Sequence, residues 1–218
     1  MMFTDPAVQA VYAEYAQRAE ADAQRHAGLG AAGYARRDEF LLPVGEEVGM
    51  LLHTLILAHR PCRILELGTS YGYSTLFLAD AARTVGASVI TMELADYKQA
   101  YARERLERAG LAAQVEFRCG DAVAMIEADA SAGGEKFDFV LLDIWKDMYL
   151  PCFEAFYPHL AEEGIVVADN MISPAGARPS VREYRAAVRA KGDMQQVLLP
   201  AGQGIELAVK WSAGNEKL

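Results

Sequence analysis

The sequence predicts an α/β fold: a doubly wound, mostly parallel sheet of seven strands that ends in an antiparallel hairpin. Three observations predict it. From residue 63 onward, short apolar runs alternate with helical stretches. An apolar run ending in an acid opens into a turn with two glycines, Ile64-Leu-Glu-Leu-Gly-Thr-Ser-Tyr-Gly-Tyr-Ser74. The last two strand-like runs are joined by a link too short for a crossover, so they form a hairpin. Short apolar strands alternating with helices make a buried parallel sheet covered on both faces.

The 218 residues suit one domain with a sizeable core, and 52% apolar with 23% charged residues is the composition of a soluble globule. A net charge of −9 lacks the basic stripe that a nucleic-acid partner requires. Cys62, Cys119 and Cys152 show no paired metal spacing, which fits a reducing cytoplasm better than a disulfide frame. The first residues lack a basic segment followed by an apolar one, so no secretion signal is expected, and no apolar run is long enough for a membrane span.

In chain order, residues 6 to about 27 read as a helix, with Pro6 in its first turn and Gly28 and Gly30 as stop signals. Val8, Val11, Tyr12 and Tyr15 share one face of it, which implies a lid or a homodimer contact. Gly28 to Gly33 reads as a flexible joint. A second helix runs from about Gly45 to His59, with Val48, Leu51, Leu52, Leu55 and Ile56 on its buried face. Strands are expected at 63–67, 88–92, 115–118, 138–142 and 164–168, with helices at 74–84, 97–109, 122–129 and 151–160. A capping box, Ser180-Val-Arg-Glu183, opens a helix to about Lys191, and the hairpin strands are 194–199 and 205–211.

Five acids fall at or just past strand ends: Glu66, Glu93, Asp121, Asp143 and Asp169. A parallel sheet gathers such positions on one edge, where ligands bind. The Gly68-x-x-x-Gly72 turn is neither the dinucleotide fingerprint nor a P-loop. Glu93, roughly 20–25 residues beyond the turn, is placed either to take ribose hydroxyls or to cap the next helix. Asp121 either accepts from an adenine amino group or caps the helix behind it. Tyr73 and Ser74 lie at a helix mouth that can close on a cofactor. Asp143, Asp169 and Asn170 are oxygen donors suited to a hard cation such as Mg²⁺, with turn residues as the alternative; no His or Cys accompanies them, which disfavours zinc. Lys146 is either a surface lysine or, beside a divalent cation, a neutral amine base. Trp145 is either core or the wall of a planar substrate site. His26, His53, His59 and His159 share no motif.

Three stretches together, Glu66 to Ser74, Asp143-Ile-Trp-Lys-Asp-Met-Tyr-Leu-Pro151 and Ala168-Asp-Asn-Met-Ile-Ser-Pro174, resemble the catechol O-methyltransferases. These belong to the metal-dependent O-methyltransferases that use S-adenosylmethionine, which include the caffeoyl-CoA enzymes. The likeness runs from about Phe40 to Pro174, with a looser match in the hairpin. It implies a single Rossmann-like class I methyltransferase domain over 1–218: an N-terminal helical extension (1–33), a helical cap (34–60) and a cofactor-binding core (61–218). By resemblance, Glu66, Gly68, Ser70, Gly72, Tyr73 and Ser74 surround the methionine end of the cofactor. Glu93 binds its ribose, and Asp121, Asp143 and Trp145 border the adenine and the transfer pocket. Asp143, Asp169 and Asn170 match the Mg²⁺ ligands and Lys146 the general base, with Asp143 beside it in catalysis. Phe40, Leu42, Trp145, Lys146, Asn170 and Pro174 fall where the family lines its slot for a hydroxylated aromatic small molecule.

Three departures stand out, one of them Phe40 and Leu42 in place of bulkier family residues, which implies a different or larger aromatic group. Ile144 stands where the catechol enzymes commonly carry His against adenine. The stretch from Gln195 to Leu199 lacks the Glu that grips a second catechol hydroxyl, which argues against simple catechol. A nicotinamide oxidoreductase would need a different glycine spacing, and an amino-group methyltransferase an Asn/Asp-Pro-Pro-aromatic loop. A non-catalytic cofactor-binding protein predicts loss of Lys146 or a metal position, and all four positions are filled. A metal-independent methyltransferase is the remaining enzymatic alternative.

Overall fold

The structure is a computed structural model and describes residues 3–29, 33 and 35–211. Helix α1 (Pro6–Leu29) and helix α2 (Glu46–His59) precede the first strand. Then β1 (Arg63–Leu67), α3 (Tyr73–Val85), β2 (Ser88–Glu93), α4 (Asp96–Arg108), β3 (Val115–Cys119), α5 (Ala122–Ser131) and β4 (Phe137–Leu142) alternate. The chain closes with α6 (Tyr149–Phe156), β5 (Leu160–Ala168), α7 (Arg178–Ala190), β6 (Met194–Leu199) and β7 (Ile205–Lys210).

The sheet has seven strands in the order β3-β2-β1-β4-β5-β7-β6. β7 is antiparallel to both β5 and β6, and the other pairings are parallel, as the short hairpin link requires. Winding reverses between β1 and β4, so a crevice opens beyond the carboxyl ends of those two strands.

Alternation along the strands fills two cores. Ile64, Phe139, Leu141 and Val167 face one way, with buried residues of α1 to α4; Leu65, Leu67, Val140, Leu142 and Val166 face the other, with α5 to α7. Each fully buried Leu, Val or Phe side chain contributes about 1.5–3 kcal/mol. On α2, Val48, Leu52 and Ile56 are fully buried, whereas Leu51 and Leu55 are half-buried at the margin of the expected face. Gly49 lets α2 approach α3, because a methyl there would lie 2.6 Å from the Phe77 ring.

Several expected boundaries shift. α1 continues through Gly28 to Leu29, its helical hydrogen bonds overriding that glycine; Gly30, the other stop signal, and most of the expected joint lie outside the described residues. α1 also buries Val8, Val11 and Tyr15 within its own chain, against Tyr73, Phe77 and their neighbours. The expected capping box is not formed. α7 starts at Arg178 with Ala177 as N-cap, and Pro179, whose φ is preset for a helix, occupies the first turn ahead of Ser180. The expected helix 151–160 is Tyr149–Phe156 followed by a 3₁₀ turn over Tyr157–His159. β5 begins at Leu160 rather than 164, through a register shift against β4 between Phe137 and Phe139. Among the described residues no helix is long and apolar enough to cross a membrane.

Candidate active site

The glycine turn sits at the β1/β4 crevice because the backbone there has room only for hydrogen. Gly68 takes φ +101°, and a Cβ on it would lie 2.1 Å from the Asp143 carbonyl oxygen. Gly72, at φ +88°, caps α3; a methyl there would meet Ala102 Cβ at 2.7 Å and the Tyr15 hydroxyl at 2.9 Å. The two loops are thus pressed together, and glycine is the residue that permits it.

Glu66 braces this turn from beneath. It is wholly buried, and its carboxylate accepts from Ser74 Oγ, Thr75 Oγ1 and Thr91 Oγ1, each at 2.6 Å. Burial pushes its carboxyl up to about 7, against the pull of the three hydroxyl donors. Glu66 and Ser74 therefore hold each other. Glu93 clasps the loop from the side: Oε2 accepts from the Ser70 amide at 2.8 Å, and Oε1 from the Leu94 and Ala95 amides at 3.0 Å. Asp121 caps α5, accepting from the Ala124 amide at 2.8 Å, and is exposed at the same sheet edge. Tyr73 is mostly buried in an aromatic pile with Tyr12, Tyr15 and Phe77, yet its edge reaches the crevice. Leu42, Gly68, Ser70, Tyr73, Ser74 and Asp143 line one narrow cleft.

Beyond β4 and β5 lies the second cluster. Asp169 is buried, and its Oδ1 accepts from the Asn170 amide at 2.6 Å. Burial first, and then the charge of Asp143, push its carboxyl up to about 7. Asn170 has φ +59°, a left-handed conformation that Asn tolerates. Lys146 Nζ donates to Tyr149 Oη at 2.6 Å, to the Ile144 carbonyl at 3.0 Å and to Asp143 Oδ1 at 3.4 Å. Among the described residues no three His, Cys, Asp or Glu side chains converge on one point. The donor set is two carboxylates and an amide, and the mutual repulsion felt by Asp169 is what a hard cation would relieve. The residues present fit such a cation.

The expected substrate-slot residues divide. Leu42 (53% exposed, φ +44°) and Trp145 (45% exposed) stand at the surface, with the Arg37 guanidinium 4.4 Å over the Trp145 ring. Pro174 is exposed. Phe40 is 2% exposed and packs edge-on against His26 of α1 at 5.2 Å, outside the residues that line the cleft. Sequence reasoning passed over Tyr149 and Thr91, and it read Tyr15 only as part of the packing face of the first helix. Tyr149 had a visible signal, its spacing of three from Lys146 at a helix start; Thr91 and Tyr15 reach the turn only through the tertiary fold.

A protein-family model described as O-methyltransferase matches residues 33–211. Catechol O-methyltransferase B of Danio rerio is 35% identical over 154 residues, covering 69% of this chain and 57% of that protein. Catechol O-methyltransferase of Niastella koreensis is 34% identical over 132 residues, covering 60% of this chain and 59% of that protein. The chain thus matches little more than half the length of these curated relatives. Among solved structures, the O-methyltransferase TomG of Streptomyces achromogenes, involved in tomaymycin synthesis and solved in complex with SAM, superposes with a TM-score of 0.74 at 25% identity, covering 97% of this chain and 92% of that one. With its acid-ended first strand, paired glycine turn and lysine-bearing loop gathered at one sheet edge, this chain belongs to the O-methyltransferase family.

Proposed function

We propose that the protein transfers a methyl group from S-adenosylmethionine to a hydroxyl of a catechol-like, vicinal-diol aromatic small molecule, assisted by Mg²⁺ or another hard divalent cation. The observation that carries this reading is the convergence of Lys146 Nζ and the Asp143 and Asp169 carboxylates beside the Gly68 turn. The family membership and the cofactor-bound relative support it.

In this reading Gly68, Ser70, Gly72, Tyr73 and Ser74 enclose the methionine end of the cofactor, while Glu66 keeps the turn rigid from below. Glu93, Asp121 and Trp145 border its ribose and adenine. When bound, the cofactor supplies an electrophilic methyl, and a cation held by Asp143, Asp169 and Asn170 supplies positive charge that favours ionisation of a nearby hydroxyl. Lys146 Nζ takes the hydroxyl proton. Leu42, Trp145 and Pro174 would hold the aromatic ring, and fixing its approach would supply much of the rate.

The test is methyl transfer from labelled S-adenosylmethionine to a panel of vicinal-diol aromatics, with Mg²⁺ and with EDTA. Transfer that EDTA abolishes is expected. EDTA-resistant transfer would assign Asp143, Asp169 and Asn170 a structural role, and cofactor binding without transfer to any acceptor would favour a non-catalytic binding protein.

A further inference from the structure

Lys146 Nζ makes two short hydrogen bonds and one long one. The short ones go to Tyr149 Oη at 2.6 Å and the Ile144 carbonyl at 3.0 Å; the long one goes to Asp143 Oδ1 at 3.4 Å. An ammonium has three N–H donors, and these acceptors use all three. The two short bonds hold Nζ from one side, and its third contact is the Asp143 carboxylate at 3.4 Å.

In this arrangement the tyrosine oxygen accepts from Nζ. A phenol is both donor and acceptor, so the partner of its own proton decides the role it takes toward Nζ. Tyr149 Oη donates its proton to the Asp169 carbonyl at 2.9 Å, in a fully buried position where leaving that carbonyl unpaired is costly. The ring itself is fixed edge-on against Tyr184, with centroids 5.7 Å apart. The hydrogen-bond polarity therefore runs one way, from the lysine N–H to the tyrosine oxygen and from the tyrosine O–H to the backbone of Asp169.

We propose that Tyr149 is a positioning residue that fixes Lys146 Nζ where it takes the proton of the acceptor hydroxyl. The inference rests on the reading of Lys146 as the base. In the proton transfer the acceptor O–H bond breaks and its electron pair stays on oxygen. The proton passes to Lys146 Nζ, which Asp143 Oδ1 faces at 3.4 Å. The backbone of Asp169, whose side chain belongs to the cation cluster, thereby sets the position of the base.

The experiment compares Tyr149→Phe, Lys146→Ala and the double variant in the full chain, with S-adenosylmethionine, Mg²⁺ and an acceptor that the wild-type protein methylates. Tyr149→Phe is expected to lower kcat about ten- to hundred-fold with both KM values held within about twofold, because only the approach geometry is lost. In the Lys146→Ala background the same change is expected to cost nothing further. Wild-type kcat in Tyr149→Phe, with Lys146→Ala inactive, overturns the inference and leaves the base reading standing. Full activity of Lys146→Ala overturns the base reading itself. An additional loss in the double variant gives Tyr149 a role independent of Lys146 and also overturns the inference. A second readout requires neither an acceptor nor a stable Tyr149 variant: with ¹⁵N-labelled lysine, the Nζ signal that disappears in Lys146→Ala is expected to exchange with solvent more slowly than surface lysines in the wild-type protein. Exchange at the surface rate overturns the inference.

Discussion

A methyl group on Gly68 would stand 2.1 Å from the Asp143 carbonyl, in a backbone conformation at φ +101° that side chains rarely adopt. Gly68→Ala must therefore push the β1 and β4 loops apart. The expected result is a stability loss of roughly 2–4 kcal/mol in urea unfolding, with cofactor affinity reduced at the same time. Unchanged affinity would show that the crevice tolerates separation of its two walls. Lys146 poses a different question, because its Nζ is held by three oxygen acceptors and its loss leaves no large void. Lys146→Ala is expected to lower turnover by about 10²–10⁴-fold, the usual span for a general base, with S-adenosylmethionine affinity by calorimetry kept near wild type. A fall in affinity of the same size would make Lys146 a cofactor residue instead.

Helix α1 is tied to the glycine turn by polar as well as apolar contacts. Tyr15 Oη donates to the Tyr71 carbonyl at 2.7 Å from a fully buried position, and the Arg18 guanidinium lies 3.8 Å over the Tyr71 ring. Tyr71 in turn donates to the Asp38 carbonyl at 3.0 Å, and Lys98 reaches the Asp38 carboxylate at 3.0 Å. The N-terminal helix and the segment after it are thus fastened across the turn proposed to hold the cofactor. Tyr15→Phe leaves the Tyr71 carbonyl buried and unpaired. It is expected to cost about 1–3 kcal/mol of stability and to weaken S-adenosylmethionine binding, because the strained loop loses its external support. Calorimetric titration checks the second part: wild-type affinity in a destabilised variant would confine α1 to a packing role.

For the molecule as a whole, Glu66 couples stability to pH. Its carboxyl is raised by burial from an ordinary 4.5 to about 7, so between those values the native state holds a proton that the unfolded chain has released. The stability it contributes is full below about 4.5 and is lost as pH rises through 7. Urea unfolding at pH 5 and pH 8 is expected to show a steeper decline for the wild-type protein than for Glu66→Gln, which cannot titrate. Equal declines would mean that the three hydroxyl donors, rather than burial, govern the carboxyl.

The sequence by itself determined the alternation of strands and helices, the terminal hairpin and the gathering of acids at one sheet edge. These follow from apolar periodicity, turn residues and link length, which act over a few residues and need no knowledge of the rest of the chain. The motifs around Gly68, Asp143 and Asp169 were legible for the same reason, since each is contiguous. Local signals failed where distant packing or a competing local preference intervened: Gly28 did not stop α1, and Pro179 displaced Ser180 from the start of α7. Only the tertiary structure decided that Glu66 is sealed under the turn by hydroxyls from α3 and β2, and that Glu93 holds the Ser70 amide. It alone packed Phe40 against α1 and linked Lys146 to the Asp169 backbone through Tyr149. These contacts join residues whose proximity is set by strand order and side-chain packing, and such proximity is a property of the folded chain rather than of any stretch within it.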